Sequence, residues 1–95
     1  MIKSIIHPGN GVNYPNRGDY LRVNLEVNSY LNNIIECLFK ETIIIRLDYD
    51  NNIIIEIINL LKEMTLLEKC CLDDNTNNKQ YIIELVEINS NPITN

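Results

Sequence analysis

Few residues in this 95-residue chain have the types and spacing that chemistry requires. His7, the lone histidine, precedes Pro8 in a turn and has no cysteine or carboxylate close by in sequence, so it reads as a surface residue rather than a ligand or base. Cys70 and Cys71 are adjacent in a strand-like run, which points one side chain inward and the other outward. A reactive thiolate needs a basic neighbour, and Lys69 alone is weak support. Asp73, Asn75, Asn77 and Glu84 fall on the first, third, fifth and twelfth positions of a calcium-loop template. Asn78 stands where that loop requires glycine, and its flanks read as strands instead of helices, so no metal site is expected. No cofactor and no certain catalytic residue follow from these groups.

Composition narrows the partners. Eight Lys and Arg against thirteen Asp and Glu give a net charge of -5, and a field of that sign repels nucleic-acid phosphates and anionic membrane surfaces. No apolar run reaches the roughly 18 residues that span a bilayer, and the opening from Met1 to Gly9 lacks an apolar h-region before its first turn, so a soluble, untargeted chain is expected. Three cysteines, two of them adjacent, do not make a disulfide framework, which leans toward a reducing, cytoplasmic setting. The length holds one core, so residues 1–95 are read as a single monomeric domain with a disordered tail from about residue 89. Seventeen Ile and sixteen Asn reflect a base-composition bias more simply than a function, and the Asn clusters are read as turns.

The elements that must position any site follow from periodicity. Leu21, Val23, Leu25 and Val27 alternate with Arg22, Asn24 and Glu26, the period of a half-buried strand. Runs at 2–6, 34–39, 43–47, 69–72 and 81–88 are further strands. Between them, Ile53, Ile54, Ile57, Ile58, Leu60, Leu61 and Met64 share one arc at 100° per residue, which predicts an amphipathic helix near residues 52 to 64 capped by Asn51 or Asn52. The fold class expected is α+β, an antiparallel five- or six-stranded sheet packed on one short helix.

The run Pro8-Gly9-Asn10-Gly11-Val12-Asn13-Tyr14-Pro15-Asn16-Arg17-Gly18-Asp19, leading into an alternating strand, resembles the opening of FKBP-type peptidyl-prolyl isomerases, the immunophilins. Ile43-Ile44-Ile45-Arg46-Leu47 stands where that family has an F-x-F-x-L strand, Ile53-Ile54 where a V-I pair opens its helix, and Ile83-Glu84-Leu85 near its F-D-V-E-L ending. The resemblance spans about residues 5 to 88 and implies a twisted sheet wrapped around that helix, with a cleft between helix and sheet that binds proline-containing peptide. It assigns that cleft to Leu25, Ile35, Glu36, Ile43, Ile53, Ile54, Ile57 and Ile83.

At those positions the chain departs from the family. Ile57 replaces a tryptophan floor, Leu25 a tyrosine, and Ile35, Ile43 and Ile83 phenylalanines, while Glu36 lengthens an aspartate. The loop from Asp73 to Gln80 is short and carries no aromatic, and Leu67 replaces a glycine after the helix. Rotation about an X-Pro bond faces a barrier of about 18–20 kcal/mol, and a dry pocket helps because the twisted amide is less polar than the planar one. Isomerase activity is therefore expected to be weak or lost. Two readings follow: an FKBP-type isomerase with a reduced aliphatic pocket, or a non-catalytic FKBP-like module that binds a protein partner.

Overall fold

Alternation of Leu21, Val23 and Leu25 with Arg22, Asn24 and Glu26 sorts the longest strands into two faces, with the first set buried and the second open or partly open. The computed structural model describes residues 1–49 and 52–94. Its elements are β1 (Ile2–His7), β2 (Tyr20–Leu31), β3 (Ile34–Arg46), α1 (Ile55–Leu61), β4 (Lys69–Asp74) and β5 (Lys79–Asn89). The strands form one sheet in the order β1-β4-β5-β2-β3, with every neighbouring pair antiparallel.

This architecture corrects the expected α+β class. The fold is a small all-antiparallel five-stranded sheet with a single seven-residue helix among the described residues. The helix starts later than its apolar period because Ile54, the cap residue, has extended ψ (143°) and supplies no side-chain cap. Asn52 is not the cap, and Asn51 lies outside the described residues. At the other end, Glu63 and Met64 donate to carbonyls three residues back, a tightened turn that carries Met64 into the core after α1 has ended.

The runs at 34–39 and 43–47 are one strand. Lys40, Glu41 and Thr42 pair with Glu26, Leu25 and Asn24, and a sheet edge open to water tolerates such a polar stretch. A bulge at Leu38 inserts one residue opposite the Val27–Asn28 step. Asn89, the expected start of a tail, still pairs with Tyr20 in β5.

Helix α1 packs on one face of the sheet, where Ile57, Ile58, Leu60 and Leu61 join Leu21, Val23, Ile45, Cys70, Leu72 and Leu85 in the core. The glycine-rich turn locks onto the helix exit, with Asn10 N donating to the Leu66 carbonyl (2.9 Å), Leu66 N to Asn13 (2.9 Å) and Gly11 N to Thr65 Oγ1 (3.2 Å). Leu67 is held at φ 71°, so the residue that replaces a glycine by resemblance is strained. No helix among the described residues is long and apolar enough to cross a membrane.

Candidate functional site

Five of the eight positions assigned to a cleft come together, as core. Ile57 is 3% exposed, Ile83 is fully buried, and Leu25 lies with them in the same cluster. Ile43 and Ile53 are partly buried against that cluster. A β-branched or branched side chain at each position fills the space between helix and sheet, as close packing of an interior requires. The other three positions face solvent. Ile54 is exposed at the helix start, where its carbonyl accepts from Ile57 N (3.1 Å) and Ile58 N (3.3 Å). Ile35 and Glu36 are exposed on β3 beyond the bulge, opposite Tyr30 and Ser29.

A cavity of about 560 Å³ lies on the sheet face away from the helix, with Glu26, Lys40, Thr42, Lys69, Ile82 and Glu84 among its lining residues. Its floor is a satisfied polar network. Asn24 Nδ2 donates to Glu84 Oε1 (2.9 Å), Thr42 Oγ1 to Asn24 Oδ1 (2.6 Å), and Asn28 Nδ2 to Glu26 Oε2 (2.9 Å), while Lys40 Nζ lies 3.7 Å from Glu26. Carboxylates already held by amides and an ammonium are poor general bases, and this network braces the open face of the sheet.

The thiols are placed against reactivity. Cys70 donates to buried Glu68 Oε2 at 3.0 Å, and burial first, then the bond and charge of Glu68, push its pKa up to about 12. Cys71, on the opposite face of β4 from Cys70, is also buried, with Ser4 of β1 as its cross-strand partner; burial and Asp73 raise its thiol. Cys37 is exposed, and all three thiols are free. His7 ends the edge strand β1 in the open, opposite Lys69.

The calcium-template residues are divided between a turn, which holds Asn75 and Asn77, and the flanking strands, which hold Asp73 and Glu84. Asp74 accepts from the Asn77 backbone (3.2 Å) and its Nδ2 (2.9 Å), which holds the Asp74 carboxyl below its ordinary range. Asp73 pairs with Gln80, and Glu84 is engaged by Asn24 further along β5. Among the described residues no group of three or more His, Cys, Asp or Glu is set to hold a metal ion.

What sequence reasoning missed is the exposed end of the helix-side face. Leu31 is 70% exposed, Ile34 68% and Phe39 38%, on strands whose other ends are core. Helix α1 is too short to cover them. No protein-family model matches the chain, and no curated protein matches it.

Proposed function

We propose that this chain is a non-catalytic protein-interaction module, remotely related to FKBP-type isomerases. The resemblance is supported by the placement of two of its motifs on strands, Ile43 to Arg46 in β3 and Ile83 to Leu85 in β5, while Ile53-Ile54 stands just ahead of α1 and not inside it. The observation that carries the non-catalytic reading is the closure of Ile57 and Ile83 into core. A proline ring would have to displace those side chains to reach the position where a flat aromatic floor is expected. The partner is a peptide segment of another protein, the domain acts as a monomer, and three free cysteines fit a reducing, cytoplasmic setting.

A protease-coupled prolyl isomerisation assay on the purified chain tests this reading. The expected outcome is a rate indistinguishable from the uncatalysed one across several residues preceding proline. Turnover that saturates with substrate and scales with enzyme would replace the interaction module with an isomerase.

A further inference from the structure

The helix side of the sheet has an apolar end that α1 leaves uncovered. Leu72 is core, and its partner Tyr81 pairs in turn with Val27, so all three lie on the helix side. Val27 pairs with Phe39, and two steps of two along β2 bring Leu31, opposite Ile34, onto the same face. Val27, Phe39 and Tyr81 therefore form one apolar row on this face and Leu31 with Ile34 a second, the two rows making a platform crossed by the polar row Lys79, Ser29 and Glu36. The molecule is elongated, 44 × 25 × 21 Å, and its β2–β3 ribbon turns at Asn32 and Asn33, both with positive φ.

The rim of this platform is acidic. Glu36 opposite Ser29 and Glu41 opposite Leu25 lie on the helix side of β3, and Asp74 lies there on β4, two residues from Leu72. Glu56 of α1 comes close enough to Tyr81 that, after burial, Asp74 and Glu56 raise its phenol pKa. Lys79, paired with Asp74 and Ser29, places a cation in the same polar row as Glu36, between the two apolar ones.

We propose that this platform docks a basic, apolar segment of a partner protein, with bulky apolar residues on Leu31, Ile34 and Phe39 and lysine or arginine against Glu36, Glu41 and Glu56. The proposal rests on the interaction-module reading and names its partner. Charge decides between occupants. A second copy would bring two acidic rims of a -5 domain together, and an anionic lipid surface would be repelled, whereas a basic segment neutralises the rim. The bulge at Leu38 interrupts any long ladder on the free edge of β3, so side chains supply the recognition.

The probe is a capped heptapeptide alternating lysine with leucine, phenylalanine and valine, titrated into the ¹⁵N-labelled full chain. Amide shifts should concentrate at Val27, Leu31, Phe39 and Tyr81. Affinity should fall about tenfold, a change of roughly 1.4 kcal/mol, when serine replaces the probe's apolar residues or when the chain carries Ile34→Ser with Phe39→Ser. Both substituted residues are exposed, and the shift map needs no variant. Glu36→Lys with Glu41→Lys should move the preference to a probe with glutamate for lysine. Equal binding of the serine probe, shifts centred on Asn24 and Ile82, or no binding at millimolar probe would overturn the proposal. So would a dimer that Phe39→Ser abolishes. Any of these in a chain without isomerase turnover removes the platform and leaves the interaction module standing, while turnover in the coupled assay removes the module itself.

Discussion

Gly9 is packed so tightly on Thr65 that no side chain fits between them: a Cβ built at Gly9 falls onto Thr65 Oγ1 and 2.8 Å from the Leu66 carbonyl oxygen. The contact ties the first turn to the helix exit, next to the hydrogen bond from Asn10 N to Leu66 O. Gly11, two residues on, is at φ 69°, and a Cβ added there would meet nothing within 4 Å, so its demand is conformational and not steric. Gly9→Ala should cost about 1–3 kcal/mol by overpacking, while Gly11→Asn, a residue that tolerates left-handed backbone, should stay within about 0.5 kcal/mol. Urea midpoints of the two variants check this, and equal midpoints would show that the Gly9–Thr65 contact is loose.

Leu67 invites the opposite change. It is held at φ 71° by the bond from its N–H to the Leu85 carbonyl (2.7 Å), while its side chain is mostly exposed. Left-handed backbone costs a residue with a Cβ about 1–2 kcal/mol, and the flexibility of glycine in the unfolded chain costs about 0.5–1 kcal/mol. Leu67→Gly should therefore stabilise by roughly 0.5–1 kcal/mol, a rise of several degrees in Tm. Leu67→Ala keeps the strain and should show no rise.

These two positions show what the sequence made legible. The resemblance, which puts a glycine at Leu67, leaves either a different turn or a strained residue there, and the strained residue is what the backbone shows; the alternation from Leu21 to Val27 located an interior strand with its faces. The apolar period runs past both ends of α1 because Ile53 and Met64 reach the core from outside it, Met64 through a tightened turn. The break expected at Lys40 to Thr42 failed because an edge strand does not need apolar residues. The site was least legible. Isoleucine at 35, 57 and 83 has one chemistry in three settings, and only packing separates the exposed Ile35 from the sealed Ile57 and Ile83.

The Cys70 thiol makes stability fall in alkali. Its folded pKa is about 12 against an ordinary 9.0, so the native state keeps a proton that the unfolded state releases. The stabilising contribution is complete below pH 9 and is lost as pH rises from there through about 12, with a slope of at most about 1.4 kcal/mol per unit. Cys71 and Tyr81 are raised in the same direction, so the comparison is differential. Urea unfolding from pH 8 to 10.5 should show a shallower decline for Cys70→Ala than for the parent. Parallel declines would mean that the Cys70 thiol ionises in the folded protein as readily as in the unfolded one. At pH 8, Ellman's reagent should modify Cys37 quickly and Cys70 only as the protein opens.

Restoring aromatic residues to the assigned cleft separates a hidden pocket from a core. Ile57→Trp and Ile83→Phe enlarge two side chains that are 3% and 0% exposed, on α1 and β5, within one cluster. Closed packing leaves no room, so each should destabilise by about 1–3 kcal/mol and add no isomerase rate. If the helix instead swings away to open a cleft, the aromatic floor would be filled at little cost in stability. Each ring then contributes about 0.5–1.5 kcal/mol beyond its buried area. Two rings acting on the twisted amide would raise the rate roughly 5-fold to 150-fold at 1.36 kcal/mol per decade. Ile57→Asp and Asn59→Asp supply the calibration, since the first buries an unpaired charge at a cost of several kcal/mol and the second sits on the exposed side of α1 and should be nearly neutral. A double aromatic variant that keeps the parental urea midpoint and gains turnover would show that Ile57 and Ile83 line a site and would reverse the non-catalytic reading.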